Sequence, residues 1–132
     1  MRFRVQNIRP GYCEVWANEF DGQRYQLLAV VMRDKNTGGA GYVWGWSAKH
    51  NEPPFFMPFF TYEFGTRREA VIDCKKWALK RLVERAIERQ TEESPHWHSP
   101  RRDALCEVRR SGLFTLDEQD EIEKRLTTFE EA

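Results

Sequence analysis

The chain has 132 residues, and 21 Lys plus Arg balance 21 Asp plus Glu, so the formal net charge is zero. Hydrophobic residues make up 40% and aromatic residues 14%. That is too aromatic for a disordered chain, and the uncharged stretches fall short of the roughly 20-residue apolar run of a membrane helix.

Met1-Arg2-Phe3-Arg4-Val5-Gln6 opens the chain without the apolar stretch of a secretory signal. Cys13, Cys74 and Cys106 are widely spaced and form no CxxC pair, which speaks against a metal knuckle and a redox motif. A reduced, cytoplasmic protein is the expectation.

Alternation predicts a first strand over Phe3–Ile8, with Phe3, Val5 and Asn7 on one face and Arg2, Arg4 and Gln6 on the other. Pro10-Gly11 is a turn signal. Tyr12–Phe20 is the second strand, and Asp21-Gly22 after it is a preferred two-residue hairpin pair. Arg24–Met32 is the third. Its run Leu27-Leu28-Ala29-Val30-Val31 suits a central strand covered on both faces. After a glycine-rich turn, Tyr42–Ala48 is the fourth strand. Tyr42, Trp44 and Trp46 share one face, and the small residues of the other are expected to let a helix or another backbone approach closely. Phe59–Phe64 is a short fifth strand.

Thr66-Arg67-Arg68-Glu69 has the form of a capping box, and Arg67–Gln90 then contains neither Gly nor Pro. Val71, Cys74, Ala78 and Leu82 recur at helical spacing, so a long amphipathic helix is predicted. Ser94-Pro95 breaks it, and Ser99-Pro100 opens a short helix to about Arg110 with Ala104, Leu105 and Val108 apolar. Gly112 ends that helix. Thr115-Leu116-Asp117-Glu118 is a second capping box, opening a helix to about Phe129 with Leu116, Ile122, Leu126 and Phe129 as its apolar stripe. All three cysteines fall in apolar patterns and are expected to be buried and inert.

Residues 1–64 hold 14 of the 18 aromatics, and the remainder is charged and helical in character. The predicted fold is therefore α+β: a four- or five-stranded antiparallel sheet packed by one long helix, followed by a C-terminal helical hairpin. Residues 1–92 are expected to form the sheet and long helix and residues 93–132 the hairpin as an appendage, together one compact domain.

Charge is unevenly distributed. Residues 65–110 carry 12 basic and 8 acidic residues, and residues 111–132 carry 2 basic and 7 acidic. The basic doublets point to phosphate contacts through Arg67, Arg68, Lys75, Lys76, Lys80, Arg81, Arg101 and Arg102. The pI of 6.8 is low for a nucleic-acid module. The segment Pro53–Phe60 packs four phenylalanines and three prolines into eight residues, beside a tryptophan-rich strand. One reading is a loop that folds back over one end of the core; the other is that aromatics and Met in excess of what one helix can cover mark a partner surface, with Trp44, Trp46, Phe55, Phe56 and Met57 as its predicted residues. His96-Trp97-His98 with Asp103 and Cys106 is a thin metal pattern that lacks a second close pair. No nucleophile elbow, phosphate loop or dinucleotide fingerprint occurs.

The expected function is that of a non-enzymatic protein-binding accessory or inhibitor protein, without cofactor or metal, that occludes a site on a larger protein or protein–nucleic acid complex. Small inhibitors of this style are common among phage and mobile-element proteins that block host defence or nucleic-acid-handling complexes, an analogy of size and style. A nucleic-acid-binding regulator using the basic doublets is the competing expectation.

Overall fold

In the computed structural model, residues 1–18, 24–35, 41–48, 63–90 and 100–127 are described. Four strands and three helices follow one another: β1 (Arg2–Arg9), β2 (Tyr12–Asn18), β3 (Gln26–Lys35), β4 (Tyr42–Ala48), α1 (Arg67–Gln90), α2 (Pro100–Ser111) and α3 (Leu116–Thr127). The class is α+β, with an antiparallel sheet in the order β1-β2-β3-β4. Two compact units divide the chain, Met1–Lys75 and Lys76–Ala132, and α1 runs through the boundary. The Asp21-Gly22 turn, the strand positions before Glu63, the 53–60 segment, the His96 and His98 pair and Phe129 lie outside the described residues. Phe64 forms an isolated bridge to Trp44, with both backbone bonds made at 2.8 and 3.1 Å.

In the first unit, Cys13, Val15, Ala29 and Val31 from the sheet meet Ala70, Val71 and Cys74 from α1, with Phe3, Val5, Leu28, Trp44, Trp46 and Phe64 packed around them. The tryptophan face of β4 is thus the one that meets α1, where the small face was expected to let a helix or another backbone approach. The small residues that permit close approach are on α1 (Ala70, Val71, Cys74), and the indoles fill the space they leave. Ala29, Val30 and Val31 are all buried, so at this point both faces of β3 are covered.

The β1–β2 turn is Pro10-Gly11. Gly11 has φ +78°, a left-handed conformation that L side chains rarely adopt. A Cβ there would also lie 2.5 Å from Arg33 Nε and 2.8 Å from its Cγ. Arg33 is held in place, since its backbone N–H donates to the Gly11 carbonyl at 3.0 Å and its guanidinium stacks 4.0 Å from the Tyr42 ring centre.

The second unit is built on helical spacing. Leu79, Val83 and Ala86 of α1, Ala104 and Val108 of α2, and Ile122 and Leu126 of α3 are buried. Two expectations fail here for the same geometric reason. Leu116 is 77% exposed, because six residues before Ile122 at 100° each place it well off the buried stripe. Cys106 is exposed because it sits about 200° from both Ala104 and Val108.

At the start of α3 the capping box is complete. The Glu118 N–H donates to Thr115 Oγ1 at 3.2 Å, and the Thr115 N–H donates to Glu118 Oε1 at 2.9 Å. Lys76 Nζ also pairs with Glu118 Oε2 at 2.9 Å. The Thr115 amide first, and then Lys76, hold the Glu118 carboxyl below its ordinary range. This contribution to stability is present above the ordinary carboxylate pKa and is lost as pH falls through the lowered value. At α1 the Thr66 hydroxyl accepts from the Glu69 N–H at 3.2 Å.

Candidate protein-binding groove

An open groove of about 340 Å³ lies at the turn end of the sheet in the first unit. Residues 7–12 form one wall, and Trp44 of β4 and Arg67 in the first turn of α1 form the other. The wall is shaped by a bulge. Asn7 pairs with Cys13 and Arg9 pairs with Tyr12, so Ile8 has no partner in the ladder. A bulge re-aims its extra side chain, and Ile8 is 48% exposed. Tyr42, on the same strand as Trp44, is 47% exposed.

The groove is also positively charged. Arg67 Nη1 donates to Asn7 Oδ1, which fixes the guanidinium with a neutral acceptor. Arg9 stacks over Tyr12, 5.1 Å from the ring centre. Among the described residues, no acidic one lines the groove. Exposed Ile8, Arg9 and Arg67 stand here beside half-buried Tyr12 and Trp44, and arginine, tyrosine and tryptophan are the types enriched among residues that dominate binding energy at protein interfaces.

Among the described residues, Trp44 is the predicted partner-binding residue that lines this groove, and it also packs on the core. Trp46 is packed on the same core, and its Nε1–H donates to Asp73 Oδ2 at 2.9 Å. Phe55, Phe56 and Met57 lie outside the described residues.

Several of the predicted phosphate-contacting residues serve inside the fold. Arg101 is 5% exposed, and its guanidinium donates to the Leu126 carbonyl at 2.8 Å and the Ile87 carbonyl at 3.4 Å. Lys76 is bound to Glu118, and Lys75 and Arg81 lie over the Phe3 and Trp77 rings. Arg68, Lys80, Arg81 and Arg102 are exposed. Arg67 belongs to the groove.

Ile8, Arg9 and Tyr12 were not expected. Ile8 nonetheless carried a signal: in strict alternation it falls among Arg2, Arg4 and Gln6, an apolar residue on a polar face.

Nucleophilic chemistry finds little support in the thiols. Burial pushes the Cys13 thiol above its ordinary value, opposed in part by the Arg67 guanidinium beside it. Burial, and then the Asp73 charge, push Cys74 up to about 12. Both thiols are therefore protonated at neutral pH and shielded, whereas Cys106 is exposed. A disulfide reagent is expected to titrate one thiol rapidly in the native protein and three after denaturation. Two or three rapid thiols would contradict the buried placement of Cys13 and Cys74.

Among the described residues, no group of three or more His, Cys, Asp and Glu could hold a metal ion, and no helix is long and apolar enough to cross a membrane. No known protein family, curated protein or solved structure matches the chain.

Proposed function

We propose that the chain is a non-enzymatic protein-binding accessory or inhibitor protein that acts by occluding a site on a larger partner, itself a protein or a protein–nucleic acid complex. The observation that carries this reading is the bulge at Ile8. It turns an aliphatic side chain into solvent beside Tyr12, Trp44 and two arginines. Exposing that group costs hydrophobic free energy, which burial against a partner would recover. The internal engagement of Arg101, Lys76 and Lys75 weighs against a phosphate-tracking helix face.

Crosslinking capture from the source cell tests the reading. Wild-type protein is expected to retain a specific protein partner, and Ile8→Asp to retain at most about a tenth of it. The two proteins should melt within about 3 °C of each other, because an exposed substitution costs roughly 0.5 kcal/mol or less. Equal retention by Ile8→Asp would overturn the groove as the contact surface. A gel shift on random DNA that weakens steeply with salt would favour the competing regulator.

A further inference from the structure

We propose that the groove captures an acidic, extended segment of the partner protein, seating a carboxylate between Arg67 and Arg9 and an apolar side chain against Ile8 and Trp44. The inference rests on the protein-binding reading above and adds the chemistry of the partner.

Charge complementarity is the first argument. Among the described residues, two arginines line the groove and no carboxylate does. Arg67 is bonded to an amide oxygen, and Arg9 is stacked on a ring, so among the described residues these partners leave both positive charges in place. A guanidinium already fixed in place loses little further freedom when a carboxylate arrives, and a charged pair there gains both strength and direction. The N-terminal end of α1 adds positive potential on the same side, since Arg67 is its first residue.

Shape is the second argument. The groove is open and holds about 340 Å³, enough for one or two side chains of a segment that continues past it. β1 is an edge strand of the sheet. Among the described residues its outer backbone groups have no strand beside them, so an extended segment can bond to them as it enters the groove. The bulge at Ile8 then ends regular pairing where the side-chain contacts begin.

An acidic peptide fits better than a nucleic-acid backbone. Phosphate recognition by a duplex or a strand needs a track of cations, and the whole chain has no net positive charge. The two arginines here form a local site with aliphatic surface beside it, which suits a carboxylate next to an apolar side chain.

Selection from a displayed library of random peptides on the immobilised full chain tests this. The enriched peptides are expected to carry Asp or Glu beside Leu, Ile or an aromatic. The best of them, made as a dye-labelled probe, should bind wild-type protein at least tenfold tighter than Arg9→Glu or Arg67→Gln, and should weaken as salt rises. Arg67→Gln keeps a side-chain amide that can still donate to Asn7, and circular dichroism with a melting curve confirms that both variants are folded. Enrichment of uncharged apolar peptides that Ile8→Asp no longer binds would overturn the acidic chemistry while leaving protein binding in place. Acidic peptides that bind the arginine variants as well as wild type would also overturn it. A single-stranded oligonucleotide that binds at the groove, with no peptide enriched there, would overturn both readings.

Discussion

Arg101→Ala is expected to lower the unfolding free energy by about 2–3 kcal/mol, the range for hydrogen bonds to a buried charged group. The guanidinium reaches the carbonyl of Ile87 in the last turn of α1 and that of Leu126 in the last turn of α3. Carbonyls at helix ends lack intrahelical donors and carry the negative end of the dipole, so one cation serves two helix termini. The substitution removes the donors and opens space in the second unit together. Arg101→Met separates the two effects, because it restores most of the volume and none of the bonds. It should recover only part of the loss. Urea denaturation followed by far-ultraviolet circular dichroism reads both variants. A loss below about 1 kcal/mol for Arg101→Ala would show that the buried guanidinium is not a structural clasp.

Leu79→Ala should cost about 3 kcal/mol, within the range for Leu-to-Ala changes in close-packed cores. Leu79 is fully buried, and it has the largest side chain among the described residues less than 2% exposed. Leu116→Ala, at the exposed start of α3, is expected to change stability by no more than about 0.5 kcal/mol. The contrast between two leucines in one unit is the measurement, read by the same denaturation. Equal effects would mean that the packing of α1 in the second unit is not as described.

Much of the fold was legible because the signals were local. Tyr42–Ala48 and Arg67–Gln90 coincide with β4 and α1. Alternation, or the absence of Gly and Pro, decides such segments without reference to the rest of the chain. Thr115 and Glu118 marked the start of α3 by reciprocal bonds that need only three residues of spacing. Gly11 and Gly112, both with positive φ, stand where a turn and a helix end were expected.

The errors arose where a residue's phase against a distant neighbour decides its environment. Leu116 and Cys106 are apolar in type but fall on the wrong side of their helices. The tryptophans of β4 could be assigned to one face from sequence, yet which face meets α1 depends on the register of three strand pairs. The groove was least legible. It joins the 7–12 turn to Trp44 and Arg67, segments brought together only by the folded sheet and the return of the chain from Gly65. Its sequence trace was one isoleucine out of pattern.

The order β1-β2-β3-β4 has a consequence for how the sheet assembles. Each strand pairs with its neighbour in the chain, so every pairing closes a short loop and none waits for a distant segment. Loop-closure entropy is small at each step, and such topologies fold faster than those with crossed or parallel pairings. The exception is α1, which must return over residues 49–66 before Ala70, Val71 and Cys74 cover the sheet. The sheet can therefore form by successive hairpins, with its apolar face exposed until α1 docks. During synthesis that interval is set by the time needed to make the helix, which places the first unit's greatest exposure to aggregation while α1 is still emerging.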